Sequence, residues 1–293
     1  MPASIALPCR PPYDWPAMRD FLAGRAIPGI EAVGPDRYAR TIAVAGRTGS
    51  IAITPGGDGL VAIVTGVAEA ELPGIAARLR RLFDCDADPA AIGAHLATDP
   101  RLGPLVAARP GLRVPGAWDG FELGVRAILG QQVSVAAATQ LAGRLVAELG
   151  TPLPALAEPG LTHVFPTAER VAAADVAQIL TMPRARGAAI RALAAASLAE
   201  PDPFALDQDL ATAVARLTAI RGIGPWTAQY IAMRALRAPD AFPPGDVGLL
   251  QALDGGAGRP SPAELLLRAE GWRPYRAYAA LHLWAVDAAR PAD

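Results

Sequence analysis

The sequence predicts an α+β protein, with a small N-terminal antiparallel β-sheet domain that carries helices, followed by an all-α core. Short runs of alternating apolar residues separated by glycine-rich turns lie within the first 98 residues, and this pattern indicates strands. From about residue 99 the apolar residues recur at helical spacing to the end of the 293-residue chain. We therefore expect two domains, residues 1–98 and residues 99–293.

In the first domain, one amphipathic helix is predicted before the sheet and another after it. The first helix is marked by apolar residues at helical spacing, namely Trp15, Met18, Leu22 and Ala26. Strands are expected over residues 38–44, 50–54 and 60–65, and the turns between them predict a small antiparallel meander. The second helix, roughly residues 71–82, should pack across this meander.

In the second domain, helices are predicted over residues 121–129, 190–198 and 206–217. Ser261 and Glu264 have the spacing of a capping box, which predicts the start of a further helix. The last predicted helix carries Tyr278, Leu281, His282 and Trp284.

Two of these helices are predicted to meet at a tight turn formed by Gly222, Ile223 and Gly224. The first helix ends at Ile220 and the second begins at Pro225, since proline is favoured at the first helical position. The glycines let the backbone approach a ligand closely, and free amides at a helix start attract anions. A lone Gly-x-Gly can be only a turn between helices, but the complete pattern favours a DNA-binding helix-hairpin-helix.

A local positive charge accompanies this motif, although the formal net charge of the chain is only −1. Residues 210–239 contain no carboxylate and four arginines, which are Arg216, Arg221, Arg234 and Arg237. Such a field suits a phosphate backbone. The helix-hairpin-helix, at about residues 210–236, is therefore predicted to bind DNA.

A single acidic residue, Asp246, follows a Pro-Pro-Gly segment in a loop at about residues 239–247. It could serve only as the N-cap of the helix that starts near Val247. A catalytic role is compatible with capping, because a helix N-terminus favours the charged form of a carboxylate. Beside an apolar pocket, a fixed carboxylate can stabilise an oxocarbenium-like transition state or align a water molecule.

Three aromatic residues are candidates for that pocket: Trp226, Tyr230 and Trp284. Taken alone, each is more typical of a hydrophobic core. Trp226 and Tyr230 are four residues apart and so share one helix face. Aromatic walls can stack a flipped base, and a ring face attracts a cationic base by roughly 0.5–2 kcal/mol per contact. A cationic base is also a good leaving group, so a single carboxylate could suffice.

The composition disfavours several other kinds of chemistry. Cys9 and Cys85 are too few for a disulfide framework, and the three histidines are scattered, so neither a cofactor nor a catalytic metal is expected. The absence of lysine removes the usual amine for a Schiff base. With no apolar run of membrane-spanning length and no signal sequence at the start, a cytoplasmic location is expected.

These motifs resemble those of the AlkA-type 3-methyladenine DNA glycosylases II, in the superfamily defined by a helix-hairpin-helix, a Gly/Pro-rich loop and an aspartate. The resemblance extends over nearly the whole chain, and outside the hairpin it is carried by residues 11–15, 78–85, 108–113, 126–131, 242–246 and 281–284.

The resemblance implies a role for each motif residue. Asp246 matches the catalytic aspartate, and the base-pocket positions are Trp226, Tyr230 and Trp284. The positions whose amides meet phosphate are Gly222, Gly224 and Thr227. The main-chain carbonyls that can hold a sodium or potassium ion are those of Thr218, Ile220 and Ile223.

The chain departs from the family pattern at two places. Gln132 stands where a relative carries a leucine that enters the minor groove and fills the gap left by the flipped nucleotide. Val247 and Gly248 replace a bulkier pair, which would open the pocket floor. Lyase-type relatives such as endonuclease III have a lysine at the position of Trp226, so the difference implies hydrolysis without strand cleavage.

We therefore predict a monomeric, monofunctional DNA glycosylase that flips alkylated purines, of the 3-methyladenine and 7-methylguanine types, out of duplex DNA and hydrolyses their N-glycosidic bonds in base excision repair. Two alternatives stay open. A superfamily enzyme for deaminated or oxidised bases would need polar groups that recognise a neutral base edge. A non-catalytic DNA-damage-binding protein would retain the hairpin but would have no use for Asp246.

Overall fold

The computed structural model describes residues 2–153, 159–199, 202–254 and 258–287. The strands of the N-terminal region are β1 (Ala3–Pro8), β2 (Glu31–Gly34), β3 (Arg37–Val44), β4 (Arg47–Gly56) and β5 (Gly59–Thr65). They form one antiparallel sheet in the order β1-β5-β4-β3-β2. The predicted meander, β3-β4-β5, is confirmed, and the structure adds a strand at each edge.

Two helices cover this sheet, α1 (Trp15–Ala23) and α2 (Leu72–Leu82). The predicted apolar face of α1 is buried at Trp15, Met18 and Leu22, and the side chain of Asp14 caps the helix by accepting the amide of Ala17. Helix α2 buries its own apolar stripe in the same hydrophobic cluster as the inner face of the sheet. The N-terminal α+β prediction is therefore confirmed.

The rest of the described chain is mainly helical. The helices are α3 (Pro89–Leu96), α4 (Leu102–Ala108), α5 (Gly120–Leu129), α6 (Val135–Leu149), α7 (Ala168–Ala173), α8 (Val176–Leu180), α9 (Arg184–Ser197), α10 (Leu210–Ala219), α11 (Pro225–Arg234), α12 (Val247–Ala252), α13 (Pro262–Ala269) and α14 (Arg276–Asp287). None of the described helices is long and apolar enough to cross a membrane. The capping box that begins α13 is present as predicted.

A small strand pair interrupts the predicted all-α core. Strands β6 (Thr151–Pro152) and β7 (His163–Val164) are two residues each and pair antiparallel. Two residues are too few to show the alternating pattern by which strands are recognised in a sequence.

Helix α11 occupies the junction of two hydrophobic clusters in the helical region. Ala228 and Ile231 pack with α5, α6 and α9, whereas Ala232 and Met233 pack with the C-terminal helices. This double burial fixes α11, and with it the hairpin, relative to both halves of the core. Helix α3 also packs with the C-terminal helices, and the domain division at residue 98 stays a prediction.

A buried ionic network joins the sheet to α5. Arg40 on β3 pairs with Glu122 at 2.6 Å, and Arg126 pairs with Glu122 at 3.1 Å and with Glu31 at 2.8 Å. The hydroxyl of Tyr38 donates to Glu31 at 2.6 Å. Burial disfavours the charge on Glu31, but Arg126 and Arg40 outweigh this effect and hold its carboxyl pKa below the ordinary value. The sheet is therefore fixed to the core by fully partnered charges.

Candidate active site

Asp246 lies at the N-terminus of α12, and its carboxylate has hydrogen-bond donors on both oxygens. Oδ1 accepts the amide of Leu249 at 3.0 Å and the indole N–H of Trp284 at 2.8 Å. Oδ2 accepts the indole N–H of Trp226 at 2.9 Å. The amide of Asp246 donates to the Pro243 carbonyl at 3.0 Å, which closes the Pro-Pro-Gly turn. Capping thus occurs together with a fixed carboxylate orientation.

The three predicted aromatic residues lie together around this carboxylate. Trp226 and Tyr230 are stacked, with ring centroids 5.3 Å apart and an interplanar angle of 10°. Trp284 meets Tyr230 at 6.5 Å and 61°. Because Trp226 and Tyr230 stack on each other, they form one wall of the site rather than two sides of a slot. Trp226 is 36% exposed, so this wall is open to a ligand.

A cavity of about 470 Å³ opens beside these residues, within the range of about 300–1,000 Å³ typical of ligand pockets. Its lining includes Phe21, Arg25, Ile27, Arg126, Val133, Trp226, Tyr230, Arg234, Asp246 and Trp284. Among the described residues that line the cavity, Asp246 is the single acidic one. The pocket predicted around the carboxylate is therefore present in the structure.

Three cavity residues, Phe21, Arg25 and Ile27, come from the N-terminal domain, and the sequence did not reveal them. Phe21 lies on α1 and Arg25 follows the end of that helix. No local motif marks either residue, because they reach the cavity only when α1 packs against the helical core.

Arg234, which the sequence placed in a DNA-facing positive field, is buried in the cavity wall. It donates to the Tyr230 hydroxyl at 2.6 Å and to the carbonyls of Pro115 and Gly116 at 2.8 and 2.9 Å. Burial acts to raise the pKa of the Tyr230 phenol, but Arg234 and its arginine neighbours outweigh burial and lower that pKa. Arg234 therefore fixes the hydroxyl end of Tyr230.

The expectation that four arginines form one positive surface is therefore corrected. Besides Arg234, Arg237 is engaged, since it pairs with Asp84 at 2.5 Å. Arg216 and Arg221 are exposed next to the hairpin. Sequence spacing alone could not separate the engaged arginines from the exposed ones. The inward orientation of Arg234 and Arg237 depends on carbonyls and a carboxylate supplied by distant segments.

The turn of the hairpin begins and ends within one residue of its predicted position. Helix α10 ends at Ala219, and the amide of Ile223 donates to the Ile220 carbonyl at 3.0 Å. Gly222 has φ +90°, and a Cβ built there would lie 2.3 Å from the Ala189 Cβ, so glycine is required on both grounds. Gly224 begins α11 without a side-chain cap and with no atom within 4 Å of a built Cβ. Its surface is open to a ligand.

The turn between α5 and α6 lies against this hairpin. Gln131 donates through Nε2 to the Gly222 carbonyl at 3.1 Å and to the Thr227 hydroxyl at 3.2 Å. The next residue, Gln132, is exposed and has φ +59°. Gln131 thus links the two loops, a role that the sequence did not reveal, and the insertion role of Gln132 stays a prediction.

The described residues offer no obvious site for a divalent metal. No group of three or more His, Cys, Asp or Glu side chains in the described ranges could hold a metal ion. Cys9 and Cys85 are buried in the N-terminal hydrophobic cluster.

Comparison with known proteins places this geometry in a family. Residues 4–119 match the family model described as the AlkA N-terminal domain. Residues 125–273 match the model described as HhH-GPD superfamily base excision DNA repair protein.

Curated relatives match almost the whole chain. It is 39% identical over 286 residues to the DNA-3-methyladenine glycosylase 2 of Escherichia coli K12, a match that covers 96% of this chain and 97% of the relative. It is 42% identical over 284 residues to the probable bifunctional transcriptional activator/DNA repair enzyme AlkA of Mycobacterium tuberculosis H37Rv. That match covers 96% of this chain but 56% of the relative, so the chain spans about half the length of the mycobacterial protein.

Among solved structures, the 3-methyladenine DNA-glycosylase from Archaeoglobus fulgidus superimposes with a TM-score of 0.83 at 22% identity. The superposition covers 98% of this chain and 99% of the other. At that identity the likeness shows the fold, which is the one described above.

Proposed function

This chain belongs to the HhH-GPD superfamily of base excision DNA repair proteins, and within it to the AlkA-type DNA glycosylases, and we propose that it excises alkylated purines of the 3-methyladenine and 7-methylguanine types from duplex DNA. The observation that carries the proposal is the Asp246 carboxylate, oriented by two indole N–H groups at the edge of an aromatic cavity. The reaction is hydrolysis of the N-glycosidic bond of a nucleotide that has been flipped out of the duplex.

The cavity holds the flipped base and Asp246 acts on the sugar. As the glycosidic bond breaks, positive charge develops on the sugar ring, and an oriented carboxylate stabilises that charge without reorganising. The indole donors on both oxygens hold the carboxylate at one angle, and the stacked pair Trp226–Tyr230 presents a ring face to the base. A cationic alkylated base leaves as a neutral molecule, so the proposal requires no general acid.

Attack by water completes the reaction without cleavage of the DNA strand. A glycosylase that cleaves the strand forms a Schiff base between the sugar and an amine. The sequence contains no lysine. The family resemblance implies that Trp226 stands where lyase-type relatives carry one. We therefore propose a monofunctional enzyme.

The hairpin and the α5–α6 turn bind the DNA in this proposal. The main-chain amides at Gly222, Gly224 and Thr227 contact phosphate, because the start of α11 has no side-chain cap and Gly224 is open to a ligand. Exposed Arg216 adds positive charge on the same hairpin. Gln132 enters the duplex and fills the space of the flipped nucleotide.

Three finer features are also proposals. A sodium or potassium ion fits the hairpin, where the carbonyls of Thr218, Ile220 and Ile223 would hold it and steady the loop. The Ile220 carbonyl already accepts one amide, which leaves its second lone pair for an ion. The enzyme works as a cytoplasmic monomer, and its two domains divide near residue 98.

The proposal is tested by Asp246→Asn, which retains the shape of the side chain and removes its charge. We expect the rate of base release from methylated duplex DNA, measured by mass spectrometry under single-turnover conditions, to fall on the order of 10²–10³-fold. Affinity for a duplex with an abasic-site mimic should persist. Asp209→Asn is the matched control, because Asp209 caps α10 through the amide of Thr212 in the same way but lies outside the cavity.

An Asp246→Asn protein with the wild-type rate would refute the assignment of the carboxylate. A wild-type protein that binds the abasic-site mimic but releases no base would instead support the alternative of a non-catalytic damage-binding protein.

A further inference from the structure

The two cysteines are far apart in the sequence but lie in the same hydrophobic cluster of the N-terminal region. Cys9 directly follows β1, and Cys85 lies shortly after the end of α2. Both are free thiols, and they are 7% and 1% exposed, respectively. The base excision proposed above uses neither of them, because both lie outside the residues that line the base cavity.

Arg113 holds together the two chain segments that carry these cysteines. Its guanidinium donates to the main-chain carbonyl of Arg10 and, at 3.1 Å, to that of Asp84. Arg10 directly follows Cys9 in the sequence, and Asp84 directly precedes Cys85. One planar group therefore spans the main chain beside both cysteines.

Arg80 joins the same segments at the other flank of each cysteine. It donates to the Pro8 carbonyl at 3.2 Å and to the Asp86 carboxylate at 3.1 Å. Pro8 directly precedes Cys9, and Asp86 directly follows Cys85. The two cysteines thus lie between two arginine bridges, which hold them beside each other.

The two thiols share a hydrogen bond, and it makes Cys9 the more acidic of the pair. This bond from Cys85 outweighs burial and lowers the pKa of the Cys9 thiol, and the charges of Arg113 and Arg80 act in the same direction. The same bond, together with burial, raises the pKa of Cys85. Cys9 is therefore the sulfur that forms a thiolate more readily, with a second thiol directly beside it.

We propose that Cys9 and Cys85 form a redox-active dithiol, which a small hydroperoxide such as hydrogen peroxide converts reversibly into a disulfide. The Cys9 thiolate attacks one oxygen of the peroxide, the O–O bond breaks, and a sulfenic acid and hydroxide result. The hydroxide takes up the proton that Cys9 released and becomes water. The sulfur of Cys85 then attacks the sulfenic sulfur, the S–S bond forms, and the S–O oxygen leaves with the Cys85 proton as a second water. The two thiols lose two electrons, which reduce the peroxide, and an added dithiol reverses the reaction by exchange.

The surroundings of the pair favour this reaction over alternatives. Burial admits a small peroxide more readily than a bulky disulfide such as oxidised glutathione. Because the arginine bridges already hold both segments, formation of the S–S bond requires little movement of the main chain. The bond closes a long loop of chain, which restricts the unfolded state, so we expect the oxidised protein to be more stable than the reduced one.

The test counts free thiols in the full-length protein. The reduced protein is freed of reductant, treated with hydrogen peroxide, unfolded in guanidinium and labelled with a maleimide, and the labels are counted by mass spectrometry. We expect both thiols to disappear together and to return after treatment with dithiothreitol. The melting temperature should rise by about 4–10 °C on oxidation and return to its first value on reduction.

Single serine variants are the matched controls, because serine retains a hydrogen-bonding group of similar size. Cys85→Ser should stop at the sulfenic acid of Cys9, which dimedone traps, and should show no rise in melting temperature. Cys9→Ser should keep its remaining thiol free at the same peroxide concentration, since Cys85 forms a thiolate less readily.

The decisive outcome is measured on the wild type and so does not depend on the folding of a variant. Two free thiols, at a peroxide concentration that converts dithiothreitol to its disulfide, would overturn the inference. Sulfinic acid on Cys9 with a free Cys85 would do the same. Disulfide-linked dimers, which electrophoresis without reductant separates from monomers, would also contradict it.

Discussion

The indole groups of Trp226 and Trp284 each contribute to the site in two ways, through the ring face and through the N–H group. Each ring face contributes to the aromatic wall, and each N–H group donates to a different oxygen of Asp246. An indole N–H is a hydrogen-bond donor only, and its partner is a polar acceptor. Here that partner is the carboxylate proposed to be catalytic, so the orientation of Asp246 depends on the same side chains that shape the base pocket.

Gln132 offers a test of strand insertion at the scale of one side chain. The proposal is that Gln132 fills the space vacated by the flipped nucleotide, whose unstacking costs a few kcal/mol. Gln132→Ala should then weaken binding to a duplex with an abasic-site mimic more than binding to undamaged duplex. Gln132→Leu should restore or exceed the wild-type affinity, because an apolar side chain stacks better in the gap. The measurement is the ratio of the two dissociation constants at fixed salt, in which phosphate contacts cancel.

The neighbouring residue provides the contrast for that experiment. Gln131 donates to Gly222 and Thr227 within the protein, so its replacement should affect both duplexes equally. Should both Gln132 substitutions leave the ratio unchanged, insertion must be assigned to another residue.

At this scale the sequence predicted the site residues near the hairpin and also Trp284 on the last helix, but it did not reveal the cavity residues of the N-terminal domain. Asp246, Trp226 and Tyr230 lie in or beside the hairpin, and their chemistry could be inferred from spacing. Phe21 and Arg25 come from a different domain, and only the packing of α1 on the core brings them to the cavity. Residue type and spacing along the chain carry no information about that contact.

The hairpin shows how two glycines of one element can be required for different reasons. Gly222 has a positive φ and packs against Ala189, whereas Gly224 has an ordinary φ of −86° and faces open space. The first glycine is therefore required by the protein itself. The second is required, in our proposal, by the approach of DNA.

Paired substitutions separate these two requirements. Gly222→Ala should lower the free energy of unfolding by about 1–3 kcal/mol, since the new Cβ meets Ala189 in a strained backbone. Gly224→Val should unfold much as the wild type does but weaken binding to all duplex sequences alike, because a bulky side chain blocks phosphate from the amides. Urea denaturation and DNA titration measure the two effects. A Gly224→Val protein with unchanged DNA affinity would show that the hairpin is only a structural turn.

Elements were predicted well where their own residues carry a boundary signal. Pro225 sets the start of α11 and the Ser261–Glu264 capping box sets the start of α13, so both were located from sequence. Strands β1 and β2 were missed at the sheet edges, where each pairs with one neighbour. Strand β1 pairs with the distant strand β5, whereas β2 is only four residues long and pairs with the adjacent strand β3.

The molecule as a whole depends on the ionic network between the sheet and α5. Removing one partner of a buried ion pair leaves an uncompensated charge and typically costs about 3–5 kcal/mol. Arg40→Met and Glu122→Gln should each destabilise the protein by that order, as measured by urea denaturation. The double variant should lose less than the sum, because no charge is left without its partner.

An ion pair on the surface provides the comparison for these single and double variants. Arg10 and Asp88 form an exposed ion pair at 2.9 Å, and Arg10→Met should cost less than about 1 kcal/mol. Strictly additive losses for the buried pair would contradict the view that Arg40 and Glu122 stabilise the junction mainly by neutralising each other.

The stability of the whole protein should also depend on pH through His282. Burial, assisted by Arg109, lowers the pKa of this histidine to about 4, against an ordinary value of 6.5. The unfolded chain therefore binds a proton more readily, so the contribution of neutral His282 is present above pH 6.5 and is lost as pH falls toward 4. Between pH 7 and pH 5 the free energy of unfolding should fall by about 2 kcal/mol through this group. His282→Gln should remove this part of the pH dependence, as compared by urea denaturation at the two values.

The placement of the tryptophans gives the protein an intrinsic fluorescent probe. Of its five tryptophans, Trp15, Trp118 and Trp272 are at most 7% exposed, whereas Trp226 and Trp284 border the cavity. Indole fluorescence is sensitive to stacking and to nearby charge, so occupancy of the cavity should alter the emission of these two against a constant background. Rapid mixing with unlabelled DNA could then record when the nucleotide arrives and when the base departs, with no dye attached to either molecule.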